Sequence, residues 1–288
     1  MHSIFKKQRL QAIWEMEALT FKFAAPALMK DEIDSSKRDT YKIVADTSPA
    51  PDISQSVYDE LVAVFIKATA SSDYDTVDCA VLALGISKAR ASIPTLMALF
   101  NARTSPQKVM KALGQIGPDA KAALPMVRKE ASTNGNFARV AAIEALAAIG
   151  RMDAISDLVK YAQDADEDVR QQAVSQIGNL YDGGKEPVPD QVIDILIASL
   201  KDTRDRQSVR IDAAYALAKI GPRGKRAVPG LTALTKDSYL YCRKAAAYAL
   251  GCVAPKDPAV RAALKAIKGD PDAEVRKKVQ EALEKGNR

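Results

Sequence analysis

Histidine is all but missing from this 288-residue chain, whose one copy is His2. Ser-His-Asp and Cys-His constellations therefore have no base, and a His-rich metal site has no ligands. The three cysteines, Cys79, Cys242 and Cys252, are odd in number and widely spaced. They supply neither a disulfide framework nor a metal knuckle, and read as small buried hydrophobes. Phosphate loops of the G-x-x-x-x-G-K-[ST] or G-x-G-x-x-G kind are absent, and Asp182-Gly183-Gly184-Lys185 reads as a plain connecting loop. No stretch approaches the roughly 18 uncharged apolar residues of a membrane span. Behind Lys6, Lys7 and Arg9, the acidic Glu15 and Glu17 interrupt the apolar run a signal peptide requires. Together these absences predict a cytoplasmic-type protein with no catalytic residues, no metal and no cofactor.

What is present is ordinary globular composition, 47% hydrophobic and 27% charged, arranged with a strong internal period. "DVRQQAVSQIG" (Asp168 to Gly178) recurs as "SVRIDAAYALA" (Ser208 to Ala218), "YCRKAAAYALG" (Tyr241 to Gly251) and "EVRKKVQEALE" (Glu274 to Glu284). "FARVAAIEALA" (Phe137 to Ala147) is a looser copy, and two earlier ones end at Gly85 and Gly114. The last residues of the seven copies are 29, 33, 31, 40, 33 and 33 positions apart, a repeat architecture. In each copy the apolar positions fall near i, i+4 and i+8, one face of a helix. Another helical pattern precedes each copy, as in Ile93 to Phe100, Ala123 to Ala131, Ala154 to Ala162, Val192 to Leu200, Ala227 to Thr235 and Ala259 to Ile267. Asp164, Asp202, Asp237 and Asp270 end the first helix of a pair, and short oxygen-bearing residues cap the second. Ile116-Gly117-Pro118 and Ile220-Gly221-Pro222 are glycine terminators followed by a helix-breaking proline.

Helix pairs that bury a face only against their neighbours stack into an α-solenoid. The "D-x-x-x-x-V-R-x-x-A-x-x-A-L-G" run, as in Asp164 to Ile177 and Asp237 to Gly251, resembles the HEAT-repeat family, and most closely its short bacterial form found in PBS-lyase-type HEAT-like proteins. The resemblance covers roughly residues 54 to 284. It implies an all-α solenoid of about seven HEAT-like helix pairs, with second helices lining a concave inner face. It also implies that the arginines of one repeated position, Arg139, Arg170, Arg210, Arg243 and Arg276, pair with neighbouring acidic residues. Enzymes on similar arrays fit poorly: deoxyhypusine hydroxylase needs several His-Glu pairs, and alkylpurine DNA glycosylases need tryptophan-rich channels. Bilin lyases share the short units but contribute no motif seen in this sequence.

The expected organisation is an N-terminal aromatic extension and linker over 1–53 and a repeat solenoid over 54–288. Ser54 to Ala68 reads as an amphipathic helix with Val57, Leu61, Val64, Phe65 and Ala68 on one face. Before it, Phe5, Trp14, Phe21 and Phe23 concentrate aromatics in the first 23 residues. They form either a cap over the open end of the array or a second contact for a partner. A mixed charge disfavours a membrane partner.

Charge is uneven. Residues 151–202 hold 5 basic and 11 acidic groups, whereas residues 203–288 hold 19 and 9. Of the cations in that basic end, the non-repeated Arg223, Lys225, Arg226, Lys244, Lys277 and Lys278 are the ones freer to bind a partner or nucleic-acid phosphates. One repeated column departs from the pattern: Leu82, Lys111, Glu144, Ser175, Tyr215, Tyr248 and Glu281. Two consecutive repeats carry tyrosine, with Tyr239 and Tyr241 entering the same helix as Tyr248. Tyrosine and arginine are common binding anchors. Tyr215, Tyr248, Tyr241, Tyr239, Arg243 and Lys244 are thus the candidate partner-binding residues, against a reading in which the rings only pack between repeats. The functional expectation is a non-catalytic scaffold or adaptor for another protein. Nucleic-acid binding by the basic C-terminal repeats, or a bilin-lyase-like or chaperone role, stand as alternatives.

Overall fold

A computed structural model describes residues 55–133, 137–183, 186–204 and 207–286. Phe5, Trp14, Phe21 and Phe23, with the rest of the 1–53 extension, lie outside them. The described residues form helices and no strands. Fourteen α-helices run in order as α1 (Gln55–Ala68), α2 (Tyr74–Ile86), α3 (Ile93–Asn101), α4 (Pro106–Ile116), α5 (Leu124–Ala131), α6 (Phe137–Gly150) and α7 (Ile155–Tyr161), then α8 (Glu167–Leu180), α9 (Asp190–Ser199), α10 (Ser208–Ile220), α11 (Val228–Leu234), α12 (Leu240–Val253), α13 (Pro258–Ala266) and α14 (Ala273–Lys285). They make seven consecutive pairs. The chain divides into two compact units with the boundary between Ile149 and Gly150. The first contains the pairs α1–α2, α3–α4 and α5–α6, and the second the remaining four.

Local chemistry sets the ends. Asp73, Asp166 and Asp272 cap α2, α8 and α14, each side chain accepting from first-turn backbone N–H groups. Gly117 and Gly221 terminate α4 and α10 with φ of 77° and 66°, and Pro118 and Pro222 then open short 3₁₀ turns. Along α1 and at the residue that follows it, Val62, Phe65 and Thr69 are buried, while Val64 is half exposed. Of the expected apolar face, Phe65 is therefore inward and Val64 is not, while the side chains of Val57 and Leu61 lie outside the described residues. Positions 62, 65 and 69, an i, i+3, i+7 stripe, face inward.

Packing is layered. In the second unit, α8, α10, α12 and α14 lie against one another in succession, and each also packs on the first helix of its own pair. Small residues permit the close crossing. A Cβ placed on Gly178 would lie 2.7 Å from the Ala216 Cα, and one on Gly251 would lie 2.6 Å from the Ala282 Cβ and 2.8 Å from its Cα. The first unit repeats this with Gly85 on Ala112 and Gly114 on Ala145. Leu84, Leu113, Leu146, Ile177, Leu217 and Leu250, from successive second helices, are fully buried beside these contacts.

Polar bonds tie each pair in the second unit to the next. Arg170, 1% exposed, donates from Nε to Asp202 Oδ2 at 3.0 Å and from Nη1 to the Asp164 and Ala165 carbonyls at 2.8 Å. Arg210 reaches Asp237 at 3.1 Å and Arg243 reaches Asp270 at 2.7 Å. Their Nη1 groups donate to the Asp202 carbonyl at 2.9 Å and the Asp237 carbonyl at 3.1 Å. Arg276 donates to the Asp270 and Pro271 carbonyls. Each aspartate is used twice, because its Oδ1 accepts a backbone N–H two residues on, as Asp202 does from Arg204 and Asp270 from Asp272. The implied arginine–acid pairing is thus realised at Arg170, Arg210 and Arg243. Arg139 donates its Nε to the Ala131 carbonyl at 2.8 Å.

The wide 40-residue step between α8 and α10 is closed by a different arginine. Arg223 donates to the carbonyls of Ile220, Glu186 and Tyr181, and its guanidinium stands 6.0 Å from the centroid of the buried Tyr181 ring.

Two predictions follow from this packing. Alanine normally gains up to about 1 kcal/mol over glycine inside a helix. At Gly178 and Gly251 the added methyl meets backbone, so Gly178→Ala and Gly251→Ala are each expected to lower stability by about 1–3 kcal/mol. Gly269→Ala, with nothing within 4 Å of its Cβ, leaves the urea midpoint nearly unchanged. An equal or raised midpoint for Gly251→Ala would refute the close crossing.

The buried pair carries the second. Removing one partner strands the other, so Arg170→Met and Asp202→Asn each cost about 3–5 kcal/mol. Arg226, on the exposed pairs with Asp190 and Asp194, costs less than about 1 kcal/mol on replacement by alanine. The Arg204 hydrogen bond and the nearby Arg170 charge hold the Asp202 carboxyl down at about 2. A depressed carboxyl stabilises the fold above its unfolded value of 3.8 and loses that contribution as pH falls toward 2. Thermal melts between pH 5 and pH 2 are therefore steeper in pH for the unaltered chain than for Asp202→Asn, and equal slopes would refute the assignment.

Candidate binding surface

The residues between the structural columns determine what the second helices offer a partner. Tyr215 of α10 and Tyr248 of α12 stand one repeat apart, with ring centroids 5.9 Å apart and planes at 51°. At the start of α12, Tyr239 and Tyr241 form a second tilted pair at 5.3 Å and 50°. Tyr215 is 38% exposed and Tyr241 48%. With Val64 and Tyr74 of the first unit they are the large apolar side chains that stay exposed among the described residues. Tyr248 and Tyr239 are half-buried beneath them.

Lysines surround these rings. Lys244 Nζ lies 5.8 Å from the Tyr241 centroid, while Lys278 and Lys285 of α14 place theirs 5.8 Å and 5.3 Å from that of Tyr248. Ammonium groups at such distances are attracted by the ring quadrupole. Carboxylates fix two of them: Lys244 pairs with Glu274, and Lys278 with Glu281 at 2.7 Å. Lys285 instead reaches Cys252 Sγ at 3.5 Å. The Tyr248 hydroxyl is pushed above its ordinary 10 by repulsion from Cys252, then by burial, so it is a neutral donor throughout the physiological range. The bond to Glu274 raises the Lys244 ammonium above its usual range, so it stays charged.

The expected residues thus separate into two groups. Tyr215, Tyr248, Tyr241 and Lys244 belong to one connected patch, and Tyr239 adjoins it through Tyr241. Arg243 points away from this work: it is mostly buried and spends its donors on Asp270 and on the carbonyls of Asp237 and Ser238. Lys278 and Lys285 were not singled out as partners of the tyrosines. Their i+30 and i+37 offsets from Tyr248 become neighbours only once the pairs stack.

The non-repeated cations expected to be freer are mostly engaged within the chain. Arg223 holds the wide loop, Lys225 pairs with Asp257 at 3.3 Å, and Arg226 bridges Asp190 and Asp194. A net positive charge in sequence is therefore not a row of unoccupied cations in space. Of the cysteines, Cys242 is buried and its thiol pushed up to about 11 by that burial, as a small hydrophobe would be. Cys79 and Cys252 are partly exposed, so the expectation of three buried cysteines holds for Cys242 alone. Among the described residues no three His, Cys, Asp or Glu side chains gather as a metal site, and no helix is long and apolar enough to cross a membrane.

Comparison with known proteins agrees with this architecture. An engineered protein of known crystal structure shares 20% sequence identity, with a TM-score of 0.55, over 79% of this chain and 68% of its own. Computationally designed armadillo repeat proteins for modular peptide recognition are similar at 21% identity and a TM-score of 0.46, over 78% of this chain and 99% of theirs. The first likeness establishes stacked helix pairs, and the second is too distant to add to it. No curated protein matches the chain. The sequence model for HEAT repeats matches three times, over residues 127–218, 158–251 and 193–284, together more than half of the chain. With the period, the paired helices and the Arg–Asp bonds between pairs, this chain belongs to the HEAT-repeat family.

Proposed function

We propose that this chain is a non-catalytic scaffold that binds another protein through the tyrosine patch of its second unit, centred on Tyr215, Tyr248 and Tyr241 with Lys244. Stacked helix pairs of this kind present extended surfaces suited to binding. The observation that supports the site is the exposure of Tyr215 and Tyr241 on a row of helices whose repeated leucine, isoleucine and alanine positions are buried in packing. A tyrosine in a column that repacks nothing structural offers large contact area at low entropic cost.

The test is an affinity pull-down with the full chain from lysate of the source organism, with and without nuclease, repeated with Tyr215→Ala/Tyr248→Ala. The expected result is a defined protein that survives nuclease. It is lost with the double variant, whose far-UV circular dichroism is unchanged. Each hot-spot tyrosine is worth about 2 kcal/mol, roughly 30-fold in Kd. Retention of the same protein by the variant would overturn the site. Retention that disappears with nuclease would move nucleic acid ahead of protein.

A further inference from the structure

The arginine ladder ends on a rung that is not filled. Arg170 and Arg243 are held alike: Nη1 donates to the carbonyls six and five residues earlier, and Nε reaches the aspartate of the following pair. Arg276 keeps the first half of this arrangement. Its Nη1 donates to the Asp270 carbonyl at 2.7 Å and to the Pro271 carbonyl at 2.8 Å, again six and five residues earlier. Its Nε and Nη2 groups have no hydrogen-bond partner among the described residues, and the side chain is exposed. A guanidinium is planar, so one anchored through Nη1 and through its own stem holds its Nε edge in one direction. In that direction Arg170, Arg210 and Arg243 find Asp202, Asp237 and Asp270.

The onward face of α14 does not suit another pair stacked by the same crossing. Glu284 stands in the column of Gly85, Gly114, Gly178 and Gly251, whose missing Cβ admits the alanine of the next second helix. Gln280 stands in the column of Val81, Met110, Ile143, Val174, Ala214 and Ala247, each 0% exposed. In α14 both are exposed, and Gln280 donates to Glu284 at 3.0 Å. They leave neither room for a close crossing nor an apolar seat. A second copy placed head to tail fits no better. In the first pair Ser71 holds the aspartate column, its Oγ accepting the Asp73 N–H at 3.1 Å as Asp270 Oδ1 accepts that of Asp272.

The acids of the last pair are spent elsewhere. Asp270 holds Arg243, Glu274 holds Lys244, Glu281 holds Lys278, Asp272 caps α14, and Glu284 accepts from Gln280. Besides Arg276, the exposed cations along α13, α14 and the turn between them are Lys265, Lys268, Lys277 and Lys285. Asp270 and Asp272 lie in the turn on which Arg276 rests, and they repel a phosphate of nearly two charges more than a carboxylate of one. A carboxylate is also what each filled rung holds. We infer that the last pair carries an open rung, at which the Nε and Nη2 groups of Arg276 bind an Asp or Glu side chain of a partner protein. The fork is already oriented by its two carbonyls, so little freedom is lost when the carboxylate arrives. This contact lies apart from the tyrosine patch and does not rest on it.

Nuclear magnetic resonance of the full chain, labelled with nitrogen-15, tests this at constant ionic strength. The probes are acetyl-Gly-Asp-Gly-amide and its Asn and phosphoserine counterparts. The Asp peptide is expected to shift the Arg276 Nε–H resonance saturably, with a Kd of about 10–100 mM, as one charge-assisted pair gives. The resonances of Arg170, Arg210 and Arg243 stay in place, and the Asn peptide gives less than about a fifth of the Arg276 shift. Arg276→Lys keeps the charge without the fork, so the accompanying shifts of the Lys277 and Gln280 backbone amides fall about fivefold or more. Unchanged α12 amides show that the variant is folded; should it not fold, Arg276→Gln is read in the same way. Lys277→Gln leaves the Arg276 response within about twofold. Equal shifts with the Asp and Asn peptides, no curvature up to about 300 mM, an undiminished response in Arg276→Lys, or tighter binding of the phosphoserine peptide would each overturn the inference.

Discussion

The second unit depends on one bond repeated three times: an arginine on a second helix held by an aspartate from the next pair. A single helix pair of this length has too little apolar surface to fold alone, so its stability comes from its neighbours. Burying Arg170 at 1% exposure would cost several kcal/mol if its charge were unmatched. It is matched by Asp202 on one side and by the Asp164 and Ala165 carbonyls on the other. The arginine therefore joins the loop of its own pair to the loop of the next. An aspartate that fixes its own turn with Oδ1 and accepts the preceding arginine with Oδ2 makes the turn and the inter-pair contact a single requirement. Two charges so placed set register between pairs, which apolar contact alone specifies weakly.

The glycine–alanine crossings act on the same geometry from the apolar side. Gly178 on Ala216 and Gly251 on Ala282 bring second helices to backbone contact, and the loop aspartate then lies within reach of the arginine. A bulkier pair at those positions would separate the helices by the thickness of a side chain and stretch the 2.7–3.1 Å bonds of the ladder. Where the step widens to 40 residues, Arg223 adds to this arrangement by holding three carbonyls at once. The ladder still continues past it, from Arg170 to Asp202.

Nearly all of this repeating frame is legible in the sequence, since a feature copied every 30 to 40 residues reports a shared role. The helix pairs and the glycine-proline stops at Gly117 and Gly221 follow from it, and the pairing of the repeated arginines from the family resemblance. The identity of the acid does not, because Asp164, Asp202, Asp237 and Asp270 look in sequence like helix stops. Their second oxygen acquires a partner only on stacking. The outward placement of Val64 was missed for a related reason. Val62 and Val64 are equally apolar, and only the position of α2 decides between them. The charge pattern misled most. Summed over residues 203–288 it is strongly basic, yet Arg226, Lys225 and Arg223 are engaged by residues 30 to 40 positions away, a distance no local window spans.

The tyrosines are informative because they stand outside this economy. In the same column Leu82, Lys111, Glu144, Ser175 and Glu281 differ in size, polarity and charge, so stacking imposes no common side chain there. A position that the frame leaves unconstrained is one at which a large, exposed ring needs another cause. Tyr215 and Tyr248 fill it in adjacent repeats and touch, and the lysines that reach Tyr248 come from the following pair. The patch therefore exists only in the assembled stack, since its members come from three helices. Loss of the ladder beneath it, at Arg210–Asp237 or Arg243–Asp270, would disperse the rings without touching any of them. This is how Arg243, chosen from sequence as a contact residue, bears on the surface: it holds α12 and α14 in the register that brings Lys278 and Lys285 over Tyr248.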